Sequence, residues 1–144
     1  MRRKRRQPKL PLTEESERRV DAWQALSDLF LDIEHDDADR QRIARQLQAT
    51  GFSPALLQHI LWREVYPVLH LNLRCVSGVW TGFRREWLRK KMRPDFGPVR
   101  SPGRIRRWLG RLCERLPGGS VPRQVRIEWE RVCEYMPEEF RKMP

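Results

Sequence analysis

The hydrophobic positions along the chain repeat with the period of an α-helix in five separate stretches. The first stretch follows Thr13, whose side chain suits a helix N-cap, and three glutamates come within the next four residues, where the helix dipole favours them. Its apolar residues recur at helical spacing: Ala22, Trp23, Leu26, Leu29, Phe30 and Ile33. No stretch alternates between apolar and polar residues as a half-buried strand would. The pattern therefore predicts an all-α protein.

Helix start and stop signals divide the next part of the chain. Asp36 or Asp37 can cap a second helix, which Gly51 ends in the left-handed conformation that glycine tolerates. Ser53 and Pro54 then combine an N-cap with a proline at the first helical position. The apolar face of the second helix is formed by Ile43, Ala44 and Leu47.

The helix that begins at Pro54 carries one polar residue on its buried face, which consists of Leu57, Ile60, Leu61, Glu64 and Val65. A buried carboxylate is stable only when it is paired and hydrogen-bonded, so we expect Glu64 to form a structural ion pair or a cap. A ligand-binding or acid/base role is the alternative. Pro67 cannot donate to the carbonyl of Arg63, so the helix must kink or restart near Tyr66.

An aromatic turn follows this break. Gly78 and Gly82 bracket Trp80, which is a candidate protein-interface residue in a tight turn. Filling of the core is the favoured role for Trp80, and the interface role is the alternative. Phe83, Trp87 and Leu88 are predicted to return to the core.

The last third of the chain predicts a C-terminal helical hairpin. Its two apolar faces are Ile105, Trp108, Leu109, Leu112 and Leu116, and then Val125, Trp129, Val132, Cys133 and Met136. The predicted fold is thus a compact bundle of about six or seven short helices. Its parts are a flexible basic arm (1–12), a helical core domain (13–93), a proline-rich linker or loop (94–103), the hairpin packed on the core (104–136) and a tail (137–144).

The chain is strongly basic, with a formal net charge of +11, but its charge is unevenly placed. Within the predicted helix 104–115, Arg104, Arg107 and Arg111 lie close to one face and form a candidate nucleic-acid-binding surface. This signal is weakened because 25 of the 30 basic residues are arginines, as a GC-rich coding sequence alone would produce. No helix-turn-helix glycine turn, aromatic RNA motif or zinc finger supports it.

Residues 13–53 are acidic, with ten carboxylates against five basic groups. A candidate protein interface for a basic partner consists of Asp28, Asp32, Glu34 and Asp36. If the first helix runs on, residues 28, 32, 35, 36 and 39 share one stripe, which could hold a divalent cation. The ordinary alternative is a solvated helix face followed by the acidic start of the next helix. Clustered carboxylates without a histidine pair or a calcium loop predict no metal and no cofactor.

Cysteine and hydropathy patterns indicate the compartment. Cys75, Cys113 and Cys133 form no CxxC pair and no even set, which predicts buried free thiols, although Cys113 and Cys133 could approach each other across the hairpin. The basic start has no apolar signal region behind it, and no apolar run could span a bilayer. We expect a soluble cytoplasmic protein without membrane insertion.

Four segments resemble a family of small, uncharacterised bacterial proteins known only as a domain of unknown function. They are ALSDLFLDIE (25–34), IARQLQATGFSP (43–54), ILWREVYPVLHLNLR (60–74) and GVWTGFRREWL (78–88). The resemblance implies a compact all-helical cytosolic chain, and it supplies no activity, cofactor or catalytic residue. Val79 stands where the family pattern would place an acidic residue, and Tyr66 where it would place a small one.

No recognisable catalytic constellation occurs in the sequence, so we expect a protein that is not an enzyme. The favoured hypothesis is a protein-binding module, either of the immunity type or an adaptor. The alternative is a nucleic-acid-associated protein that binds through its arginine-rich segments. Metal-dependent hydrolysis at the acidic stripe is a remote third possibility. The partner and the oligomeric state are left open by the sequence.

Overall fold

A computed structural model describes residues 13–31, 33–74, 81–98 and 120–141. These ranges contain helices and no strand, which confirms the all-α prediction. The α-helices are α1 (Glu14–Ser27), α2 (Asp37–Ala49), α3 (Pro54–Ile60), α4 (Tyr66–Leu69), α5 (Arg85–Lys91), α6 (Ser120–Cys133) and α7 (Glu138–Arg141). The predicted arm and the first helix of the predicted hairpin lie outside the described residues.

The first three helices begin where the sequence signals predict. Thr13 and Ser16 form a reciprocal capping box at the start of α1, with the Ser16 N–H donating to the Thr13 hydroxyl at 3.2 Å. Asp36, rather than Asp37, is the N-cap of α2, and it accepts from the backbone N–H of Asp39 at 2.8 Å. Such caps link residues three positions apart, so they depend little on the rest of the fold.

The prediction of an acidic stripe on a first helix that continues past residue 28 is wrong. α1 ends at Ser27, a single 3₁₀ turn follows over Asp28–Phe30, and Leu31 is extended. Leu29, Phe30 and Leu31 are all buried, and three consecutive side chains of a helix would spread over about 200°, more than one face can bury. The chain therefore leaves the helix here, and Ile33 is 40% exposed instead of joining the core.

The proline break takes the form of a π-helical turn. Residues Leu61–Val65 adopt this turn, and the Tyr66 N–H donates to the carbonyl of Leu61, five residues earlier. Pro67 has no N–H to continue the ladder, so the helix widens before it and resumes as α4. This matches the predicted kink near Tyr66.

One hydrophobic cluster connects the described helices. The buried side chains of α1, α2 and α3 pack in this cluster with those of α6, and Phe140 of α7 belongs to the same cluster. The segment that the sequence assigns to a tail thus includes a helix with a buried aromatic ring. Cys133 is a free buried thiol, as predicted, whereas Cys75 and Cys113 lie outside the described residues. Within the described ranges, no helix combines the length and apolar character that a membrane crossing requires.

Candidate protein-binding cleft

A buried ion pair joins α1 to the π-helical turn. Arg19 donates through Nε to Oε1 of Glu64 at 2.9 Å and through a second nitrogen to Oε2. The indole N–H of Trp23 also donates to Oε1, at 2.8 Å. The side chains of Arg19 and Glu64 are 5% and 0% exposed. Glu64 thus has the paired and hydrogen-bonded environment that a carboxylate on this face requires.

The loop after α5 docks onto the same centre through Asp95. The backbone carbonyl of Asp95 contacts Nε2 of His59 at 2.8 Å, and its carboxylate accepts from Nε of Arg63 at 3.1 Å. Burial alone would raise the pKa of Asp95, but hydrogen bonds from the Gly97 N–H and from Arg63 lower it overall. The loop is therefore attached to α3 and the π-helical turn, and the Glu64 centre has the character of a structural network.

A cleft of about 360 Å³ lies between the loop at residues 31–36, the start of α2 and one side of α6. Its volume falls at the small end of the range of ligand pockets, and it is large enough for a side chain of a partner. The apolar part of the lining is Leu29, Leu31 and Ile33. The ionisable part is Glu34, His35, Asp36, Arg40, Glu128 and Arg131.

One wall of the cleft is held by an ion-pair bridge between α2 and α6. Arg40 donates to both carboxylate oxygens of Glu128, at 3.1 and 3.3 Å, and Arg131 donates to the same carboxylate at 3.3 Å. The pKa of Arg40 is raised chiefly by the hydrogen bond to Glu128. The two guanidinium groups on this wall are thus already paired within the protein.

His35 is the unusual member of the lining. Its side chain is only 8% exposed, and neither ring nitrogen has a hydrogen-bond partner in the described part of the chain. A neutral imidazole carries one donor and one acceptor, and each unsatisfied buried group costs about 1–3 kcal/mol. Both nitrogens are also closed to solvent, so His35 is a lining residue with hydrogen-bonding capacity that the described chain does not use.

The surroundings of the cleft are acidic, although the whole chain carries a net charge of +11. Glu34 forms no ion pair with any described residue, and Asp36 uses one carboxylate oxygen for the α2 cap. Among the described residues that line the cleft, three carboxylates stand against two guanidinium groups, so the lining has a net charge of −1. The carboxylates are Glu34, Asp36 and Glu128, and the guanidinium groups are Arg40 and Arg131.

The structure brings together two of the residues that the sequence proposes for a protein interface, Glu34 and Asp36. Asp28 lies apart from the cleft lining and pairs with Arg42 of α2 at 2.8 Å. The sequence alone does not indicate the role of Glu128, because it contacts Arg40 across a separation of 88 residues. The other candidates, Asp32, Trp80, Arg104, Arg107 and Arg111, lie outside the described residues.

A second surface is formed by the outer side of α5, together with Phe83. Trp87 is 38% exposed instead of returning to the core, and its ring stacks on that of Phe83 with the centroids 5.5 Å apart. The inner side of the helix is held by Arg85 and Arg89, which both pair with Glu17 of α1. These hydrogen bonds, led by the one from Arg89, lower the pKa of Glu17. The outer side is left to the aromatic pair and to exposed basic residues.

No group of three or more His, Cys, Asp or Glu side chains within the described ranges is arranged to hold a metal ion.

The comparison with protein families assigns the chain to one family. The model of the family described as "Domain of unknown function (DUF7079)" matches residues 17–135, which is most of the chain, so the chain belongs to this family. This confirms the resemblance to a domain of unknown function. No curated protein and no solved structure matches the chain.

Proposed function

We propose that this member of the DUF7079 family is a non-enzymatic protein-binding module, of the immunity or adaptor type, and that the cleft between α2 and α6 binds its partner. The observation that supports this proposal best is the cleft itself, which carries the carboxylate of Glu34 without an ion-pair partner among the described residues. Concave surfaces with a few polar groups are the usual binding sites of proteins, and a basic group of a partner would pair with this carboxylate.

Charge supports a basic partner. The cleft lining has a net charge of −1 in a protein whose net charge is +11, and complementary charges guide the approach of a partner. The bridge through Glu128 gives the wall between α2 and α6 a fixed shape before the partner arrives. Binding to such a preformed surface requires little ordering of the module itself.

Co-expression with the products of neighbouring genes tests this function. We expect one of them to co-purify with the full-length protein, and we expect Glu34→Lys to weaken that complex by about tenfold or more, mainly by slowing association. Glu34 is exposed and makes no ion pair with a described residue, so the substitution should leave the fold intact. The binding constant and its salt dependence are the measurements.

The matched control for this experiment is Glu130→Lys, which makes the same charge change at an exposed α6 position outside the cleft lining. We expect the control to bind like the wild type. Equal affinities of the wild type and Glu34→Lys, or the absence of a complex with any neighbouring product, would contradict the proposed function.

Association with single-stranded nucleic acid is the second candidate function, and the outer side of α5 favours it. Stacking aromatic rings and unpaired cations are the two features with which proteins bind single strands. Trp87 supplies an exposed ring, and Arg84, Lys90 and Lys91 are exposed and make no ion pair with a described residue. The three arginines at 104, 107 and 111 lie outside the described residues.

The salt dependence of binding tests the second candidate. We expect weak affinity for mixed-sequence DNA or RNA at physiological salt, with dissociation constants of about 10⁻⁴ to 10⁻⁶ M, because charge alone reads no bases. Two variants identify the segment that contacts phosphates. One neutralises Arg104, Arg107 and Arg111, and the other neutralises Arg84, Lys90 and Lys91. Loss of phosphate contacts flattens the salt dependence of binding, so the variant with the flatter dependence identifies the segment. A site-specific complex with nanomolar affinity at that salt would place this function ahead of protein binding.

A further inference from the structure

We infer that the loop after α5 is a stacking site for one base of a single-stranded nucleic acid. The ring of Phe96 is the platform for the base, and the guanidinium of Arg93 contacts a neighbouring phosphate. This inference rests on the second candidate function, and it adds a site beyond α5 itself. It is independent of the cleft between α2 and α6.

The side chain of Phe96 is both exposed and held in place. At 66% exposure it is the most exposed large hydrophobic side chain in the described part of the chain. The guanidinium of Arg19 lies over one face of the ring, 4.7 Å from its centroid, and Arg19 is itself fixed by Glu64. A cation is attracted to the face of an aromatic ring, so this contact orients Phe96. The opposite face is left for a second planar group.

The backbone beside Phe96 is anchored as well. The carbonyl of Asp95 contacts Nε2 of His59 at 2.8 Å. The carboxylate of Asp95 accepts from Nε of Arg63 at 3.1 Å and from the N–H of Gly97 at 2.9 Å. The ring therefore belongs to a segment that is attached to the core on both sides of its own Cα. Stacking on such a preformed platform requires little ordering of the protein.

A cation for the phosphate stands three residues before the ring. Nη1 of Arg93 donates to the carbonyls of Lys90 and Met92, at 2.8 and 3.0 Å, which fixes the position of the guanidinium. Arg93 is exposed and forms no ion pair with a described residue, so its remaining nitrogens can donate to an anion. Three residues span at most about 10 Å of chain, so Arg93 and Phe96 can contact one short stretch of a strand.

The combination of ring and charge selects the ligand. Residues 83–96 include six basic residues and two carboxylates, and one of these carboxylates, Asp95, is already paired with Arg63. An exposed ring alone would suit any apolar partner, but the positive charge of the segment favours a ligand that carries planar groups and negative charge together. Single strands present bases and phosphates in this way, and proteins bind them with aromatic platforms in a basic surface. Because Arg19 covers one face of the ring, Phe96 offers its other face, which suits stacking better than insertion into a membrane.

Fluorescence anisotropy with two labelled 12-nucleotide probes tests the inference on the full-length protein. One probe is oligothymidylate, and the other is an abasic strand with the same number of phosphates. At matched ionic strength, we expect oligothymidylate to bind about tenfold more tightly, because only this probe can stack. Phe96→Leu should remove most of this difference by weakening oligothymidylate alone. Phe96→Tyr keeps the ring and should bind like the wild type.

Matched controls and a direct measurement make the result specific. Leu71→Ala removes apolar surface at another exposed position, and it should leave the difference between the probes unchanged. Arg93→Gln should weaken both probes and reduce the salt slope by about one, whereas Arg126→Gln, at an exposed position of α6, should not. A strand that carries 5-iodouracil should cross-link to Phe96 of the wild type under ultraviolet light. Mass spectrometry identifies the cross-linked residue without relying on the folding of any variant.

Three results would overturn the inference: equal affinities of the wild type for the two probes, an unchanged difference in Phe96→Leu, or stronger competition by phosphatidylserine vesicles than by oligothymidylate at equal phosphate concentration. The last result would make this surface a membrane contact. If both probes bind equally and with a steep salt dependence, the second candidate function stands and this inference fails alone. If neither probe binds, both fail, and the function proposed for the cleft is unaffected.

Discussion

Replacing Glu64 with glutamine should destabilise the protein by about 3–5 kcal/mol, because the guanidinium of Arg19 would remain buried without a countercharge. Glutamine also replaces one of the two acceptor oxygens with a donor, so a hydrogen bond from Arg19 or Trp23 is lost. Domains of this size have unfolding free energies of about 5–15 kcal/mol, so the loss would be a large share of the total. Equilibrium unfolding in urea measures the difference.

Two further variants separate the ion pair from general effects of mutation. Glu86→Gln removes a carboxylate from an exposed position of α5, and we expect a change within about 0.5 kcal/mol. The double variant Arg19→Met with Glu64→Leu removes both buried charges, so it should cost less than the sum of the two single substitutions. A cost below about 1 kcal/mol for Glu64→Gln would show that the pair is not buried as described.

Cys133 in the native protein should react with iodoacetamide at pH 8 about 1,000-fold more slowly than in the unfolded chain, since the thiolate is the reactive form. Burial, assisted by the negative charge of Glu130, raises the pKa of Cys133 from 9.0 to about 12, and this shift alone reduces the thiolate fraction by that factor. The measurement is alkylation followed by mass spectrometry in a variant with Cys75→Ser and Cys113→Ser. The same variant in urea supplies the reference rate.

The raised pKa of Cys133 also predicts the direction of a pH effect on stability. Between pH 9 and about 12 the unfolded chain has lost the thiol proton while the folded protein retains it, so the stability contributed by this group falls as the pH rises. Below pH 9 both states are protonated and the contribution is constant. Alkylation of the native protein at the rate of the unfolded chain would mean that α6 is not packed on the core.

The sequence by itself determined those features that depend only on residues within one turn of a helix. The starts of α1, α2 and α3 depend on side chains of Thr13, Asp36 and Ser53 that bind backbone N–H groups three residues ahead. The break before α4 depends on Pro67, which lacks an N–H, and the end of α2 depends on Gly51, whose φ of 71° suits glycine. Local chemistry sets each of these features.

The tertiary structure alone decided which distant groups meet. Glu64 needed a buried partner by its position, but the identity of that partner, Arg19, depends on how α1 crosses the π-helical turn 45 residues later. Likewise, His35 became part of a cleft only because α6 packs beside α2 and places Glu128 and Arg131 opposite it. Helical periodicity specifies which face of a helix is buried, but it does not specify which helix covers that face. The pairing of faces is set by the packing of the whole core, because each helix must bury its apolar side against the others at once.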